Sequence, residues 1–149
     1  MNPMNPIHTV NAMNLLNLVA FLPLAGFLIA LGIPRSASAQ GSRIWALISS
    51  LGTFAASVGL LAWFDRGTGG EQFAIDVPWI STPNIHYAIS VNGVSLWLIL
   101  LSTLLTPVCV LISWNSIKDR TKEFYAFLLL LEFGLIGVFV AQDLFLFYV

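Results

Sequence analysis

The sequence predicts an all-α integral membrane protein: four transmembrane helices and the start of a fifth, with a surface β-hairpin between helices two and three. Three observations carry this expectation. Of 149 residues, 58% are hydrophobic and 9% charged, where a soluble domain carries about 25% charged. Apolar stretches of about 20 residues, the length that crosses a hydrocarbon core of roughly 30 Å, recur four times between short polar connections. The one long polar stretch, 65–93, behaves differently: Ile85, Tyr87, Ile89 and Val91 alternate with period two, as a strand does.

Taken in order, residues 1–12 form an external N-terminus without the basic stretch of a signal peptide, so the span that follows is expected to be retained. That span, 13–33, has no charge and ends at Pro34 and Arg35. Pro23 within it leaves the Val19 carbonyl without its helical donor and predicts a kink that a neighbouring helix satisfies. Residues 34–43 are small and polar and read as a short loop. The second span, 44–64, carries Gly52, Ala55, Ala56 and Gly59 at the small-xxx-small spacing that lets helix backbones approach closely in lipid. Residues 65–93 are the external loop with the hairpin. The third span, 94–114, is broken by Pro107, with Ser102, Thr103 and Thr106 near the freed backbone to re-satisfy it.

Residues 115–123 form the next loop, with Lys118, Arg120 and Lys122, and 124–141 is the fourth span. Gln142 and Asp143 make a turn into 144–149, the start of the fifth, although hydropathy alone also permits one long tilted helix here. Six helical residues rise only about 9 Å, so the chain looks cut off inside a span. Five of the six lysines and arginines lie in the loops 34–43 and 115–123, against Arg66 alone in 65–93. This places those two loops in the cytoplasm, with the N-terminus, the hairpin and Asp143 outside.

Several function classes are excluded. A net charge of −1 offers no basic face for nucleic acid. Cys109 is the single cysteine, so no intrachain disulfide forms. No second His, Cys or acid stands at metal-ligand spacing, and Gly67, Gly69 and Gly70 read as turn residues rather than a phosphate loop. No metal, cofactor or catalytic centre is therefore expected in this chain. His86 falls on the polar face of the expected strand, and Trp63, Trp79, Trp97 and Trp114 fall near span ends as an interfacial belt.

Two acids remain as candidates for a proton path. Glu132 lies about 12 Å inside the fourth span, with no Lys, Arg or His inside any span to pair with it. An intramembrane carboxylate is by default a candidate for ion or proton passage; the alternative is a neutral acid hydrogen-bonded to a neighbouring helix. Asp143 sits at the outer interface, where the plainer reading is an N-cap for the fifth span.

Two segments carry a family resemblance. Asn92-Gly-Val-Ser-Leu-Trp-Leu-Ile-Leu-Leu-Ser-Thr-Leu-Leu-Thr-Pro107, and Lys122-Glu-Phe-Tyr-Ala-Phe-Leu-Leu-Leu-Leu-Glu132 followed by Gly137-Val-Phe-Val-Ala-Gln-Asp-Leu-Phe-Leu-Phe-Tyr-Val149, resemble subunit M of bacterial NADH-quinone oxidoreductase, respiratory complex I. The match covers 78–149 well and the first spans in pattern only. It implies the N-terminal part of an antiporter-like, proton-translocating membrane-arm subunit in the bacterial inner membrane. Its partners would be the lipid bilayer and other membrane-arm subunits, with NADH, flavin, iron-sulfur clusters and quinone bound in other subunits of the complex. The family's key membrane glutamate would follow Val149, so none of its functional residues is carried over. Asn92 departs from the aspartate common in relatives. The alternatives are a related subunit of a cation/proton antiporter or membrane-bound hydrogenase, and, in another class, a small structural or assembly membrane protein.

Overall fold

The computed structural model describes residues 6–32, 39–64, 72–80 and 85–141. Four helices form within them, α1 (Pro6–Gly32), α2 (Ala39–Trp63), α3 (Gly93–Ser113) and α4 (Thr121–Val140), and each is long and apolar enough to cross a membrane. α1, α2 and α4 begin earlier than the apolar runs suggested, because helical hydrogen bonding continues into polar flanks that hydropathy assigns to loops. Between α2 and α3, β1 (Gln72–Ile80) pairs antiparallel with β2 (Ile85–Val91), from Gln72 opposite Val91 to Ile80 opposite Ile85. The register is irregular beside Pro78, where the ring nitrogen has no hydrogen for the ladder. The expected start of a fifth helix at 144–149 lies outside the described residues.

The helices run up and down in order. α1 packs on α2 and α4, α3 packs on the same two, and α2 also meets α4 across the diagonal. One end of the bundle gathers the C-termini of α1 and α3 with the N-termini of α2 and α4. Helix C-termini present unpaired carbonyls; one basic side chain meets such a carbonyl at the end of α1, and a second meets a carbonyl of the loop after α3. Lys122 Nζ donates to the Leu31 carbonyl at 2.8 Å and Arg43 Nη2 to the Ile117 carbonyl at 2.8 Å.

The opposite end is tied to the strands. Asn92 caps α3 directly after β2, accepting from the Ser95 amide at 2.8 Å. α4 ends at Val140, and Ala141 turns extended and bridges Ile89. A single long helix running on past residue 141 is thereby ruled out.

Both internal prolines are accommodated without ending their helices, α1 at Pro23 and α3 at Pro107. The hydroxyls near Pro107 behave differently from expectation. Thr106 Oγ1 donates to the Ser102 carbonyl at 3.1 Å, and Thr103 Oγ1 reaches Ile99 at 2.9 Å, one turn back on their own helix instead of the Thr103 carbonyl that Pro107 frees. The small residues of α2 divide. Leucines of α1 stand against Gly52 and Gly59, while Ala55 is exposed. A tighter contact than at either of these lies at Gly26 of α1, where an added Cβ would overlap Ser49 Oγ and meet Leu129 Cδ1 at 3.3 Å. Trp45 Nε1 donates to the Gly26 carbonyl at 3.0 Å across the same contact.

Candidate functional site

The inward stripes of α2, α3 and α4 change character along their length. Near the strands the interior is apolar: Leu16, Leu60, Ile99, Ile136 and Val140 form one cluster with Ile89 and Val91 of β2. Near the loop between α3 and α4 it is apolar again, with Ala46, Val110, Tyr125 and Leu129. Between these plugs the buried positions are hydroxyl-bearing, Ser49, Ser50, Thr53 and Ser57 on α2 and Ser102, Thr103 and Thr106 on α3, together with Glu132 on α4. The outer faces are the reverse, with Leu28, Ile48, Trp97, Ile112 and Phe127 more than half exposed. A polar layer thus lies inside an apolar shell, where the cost of each polar group depends on finding a partner.

The depth of the layer follows from one contact. Ser113 Oγ donates to the Tyr125 hydroxyl at 3.1 Å, pinning the last turn of α3 to the first turn of α4. Two turns further along each antiparallel helix, Thr106 and Glu132 come level, about 10 Å from that contact. Glu132 has no accessible surface. Thr106 stands beside its carboxyl, yet the Thr106 hydroxyl is directed to Ser102, and neither carboxyl oxygen has a hydrogen-bond partner among the described residues.

One turn away, Ser57 Oγ and Thr103 Oγ1 lie 2.8 Å apart and join α2 to α3. Ser57 also reaches the Phe54 carbonyl at 2.8 Å and Thr103 the Ile99 carbonyl at 2.9 Å. Each hydroxyl has a single hydrogen, so the pair cannot satisfy both carbonyls and each other at once. It has two hydrogen arrangements, donating toward α2 or toward α3. Chemically, the layer is a carboxyl able to hold or release a proton next to hydroxyls whose hydrogen bonds can be redirected. No group of three metal-ligating side chains occurs among the described residues.

The chain has close relatives over most of its length. It is 43% identical over 127 residues to NADH-ubiquinone oxidoreductase chain 4 of Chondrus crispus, a match covering 85% of this chain and 26% of that one. It is 42% identical over 136 residues to chain 4 of Metridium senile, covering 88% and 27%. It is 39% identical over 133 residues to NADH-quinone oxidoreductase subunit M of Rhodobacter capsulatus, covering 87% and 25%. The chain is homologous to subunit M and chain 4. It spans about a quarter of the length of these relatives. No protein-family model matches it.

The structure places Thr106 beside Glu132, with Ser102 and Thr103 in the same buried layer, residues singled out in the sequence for separate reasons. The second acid candidate, Asp143, lies outside the described residues, and so does the side chain of His86. Asn92 serves as the N-cap of α3, a role that aspartate fills equally well. Sequence reasoning missed Ser49, Ser50, Thr53 and Ser57. Their signal was present, since two steps of four from Ser49 to Thr53 to Ser57 mark one helix face.

Proposed function

We propose that this chain is the N-terminal part of a membrane-arm subunit that translocates protons, coupled to electron transfer from NADH to quinone. The observation that carries the reading is the fully buried Glu132 in a polar layer at mid-span, on a chain homologous to NADH-quinone oxidoreductase subunits. Glu132 holds a proton in the layer and exchanges it during turnover, with Asp143 as an outer member of the path. Redox chemistry belongs to other subunits, which bind the NADH, flavin, iron-sulfur clusters and quinone, and this chain contributes no catalytic centre.

The charge asymmetry of the loops supports a cytoplasmic location for 34–43 and 115–123 in a bacterial inner membrane. The paired strands then lie on the outer membrane surface, and a fifth helix begins at 144–149. Neighbouring membrane-arm subunits and lipid cover the apolar outer faces. The oxidoreductase relatives favour this reading over the antiporter or hydrogenase variant.

The test is a Glu132→Gln substitution in the assembled complex, with NADH-driven proton pumping and NADH:quinone electron transfer measured side by side. The expected result is fewer protons pumped per electron. An unchanged ratio would remove Glu132 from the path. A blue-native gel probed with an antibody to loop 65–93 tests the assembly: signal in a very large NADH-active band is expected, and signal confined to a small inactive band would overturn it.

A further inference from the structure

The Glu132 carboxyl is an acceptor without a donor, and a donor stands beside it that is committed elsewhere. We infer that Thr106 is a positioning residue for Glu132, its hydroxyl resting on the Ser102 carbonyl while Glu132 carries a proton and turning to the carboxylate when that proton leaves to water. The inference rests on the proton-carrying role proposed for Glu132. Three observations support it.

The bond Thr106 makes now is dispensable. Ser102 and Thr106 are four residues apart within α3, so the Ser102 carbonyl already receives the Thr106 amide in the helical ladder, and the hydroxyl at 3.1 Å is a second donor to it. Threonine in a helix divides between two side-chain rotamers because its hydroxyl can bond such a carbonyl or leave it. The turn therefore orphans no backbone group.

The hydroxyl pair that joins α2 to α3 is less free. Thr103 Oγ1 is engaged by Ser57 at 2.8 Å and by the Ile99 and Leu100 carbonyls at 2.9 and 3.2 Å, and Ser57 by Phe54. Thr106 is the hydroxyl beside the carboxyl whose hydrogen can be withdrawn at small cost.

No charged group among the described residues competes for the carboxylate. Residues 18–32 of α1 bring only apolar side chains, and the buried faces of α2 and α3 at this level only apolar and hydroxyl-bearing ones. The ionisable residues Arg43, Lys122, Glu123 and Tyr125 sit at the loop end of the bundle, and Cys109 is exposed. A carboxylate formed here depends on hydroxyl donors, and hydrogen bonds to a charged group are the strong kind.

Infrared difference spectra of the assembled complex, with Glu132 bands assigned by their loss in Glu132→Gln, test this. Thr106→Val should leave the carbonyl stretch of the protonated acid in place and shift the carboxylate stretch. It should slow NADH-driven proton pumping about tenfold, the size of one hydrogen bond to a charged group, and Thr106→Ser should restore both readouts. In a Glu132→Gln background Thr106→Val should add no further loss. A carboxylate stretch unmoved by Thr106→Val, or a loss of rate that adds to that of Glu132→Gln, overturns the assignment. If Thr106→Val fails to assemble, Thr106→Ala is read in the same way. If Glu132→Gln itself pumps normally, the proton-carrying reading fails; if Glu132→Gln is impaired while Thr106→Val is silent, only the role of Thr106 fails.

Discussion

Replacing Glu132 with leucine should stabilise the helical bundle while abolishing whatever the carboxyl does. Both carboxyl oxygens are buried without a partner among the described residues, and an unsatisfied buried polar group costs about 1–3 kcal/mol. Leucine occupies a similar volume and keeps contact with the apolar plug that includes Ile136. Two orphan oxygens set a gross gain of about 2–6 kcal/mol. Imperfect fit of the branched side chain costs less than about 1.5 kcal/mol for a near-isosteric exchange. A net gain of at least about 0.5 kcal/mol is therefore expected. The assay is reversible unfolding of the chain in mixed micelles, followed by Trp fluorescence and circular dichroism, comparing Glu132→Leu with Glu132→Gln. Glutamine keeps two polar atoms in the same place and should gain little. A Glu132→Leu protein less stable than the parent would refute the reasoning, because it would mean that the carboxyl is well satisfied in the folded state.

The remaining predictions concern the contacts around the layer. Gly26→Ala should cost about 1–3 kcal/mol by overpacking against Ser49 and Leu129, and Ser49→Gly should recover most of it; equal losses in both backgrounds would show that Gly26 does not pack against Ser49. Ser57→Ala and Thr103→Val, measured singly and together, should show a coupling near the roughly 0.6 kcal/mol typical of hydrogen bonds between membrane helices, whereas strict additivity would deny the contact. Asn92→Ala should lose about 1 kcal/mol with faster amide exchange in the first turn of α3, and Asn92→Asp should retain the cap.

Much of this organisation was legible in the residues because a bilayer imposes a simple rule: a span must be apolar, about 20 residues long, and internally hydrogen-bonded. That rule located all four helices and singled out Glu132 as a carboxylate in the middle of one. It located helix ends less well, since α2 starts at Ala39 and α4 at Thr121, where polar residues continue a helix that hydropathy no longer marks. The break after Val140 was ambiguous for the same reason, and was decided by the pairing of Ala141 with Ile89.

By itself, then, the sequence determined the class of protein, the number of spans described here and the presence of a buried acid, because these depend on composition and length along one dimension. Only the tertiary structure decided what faces that acid. In a hydrophobic helix nearly every side is apolar, so the spacing of Ser49, Thr53 and Ser57 marks a shared face but not which neighbour that face meets, and Thr53 and Ser57 also bond back to their own helix. Packing α3 against α4 brings Thr106 beside Glu132, and packing α2 against α3 joins Ser57 to Thr103 one turn away. It also sets the layer between two apolar plugs, where the cost of each polar group depends on the partners that packing supplies.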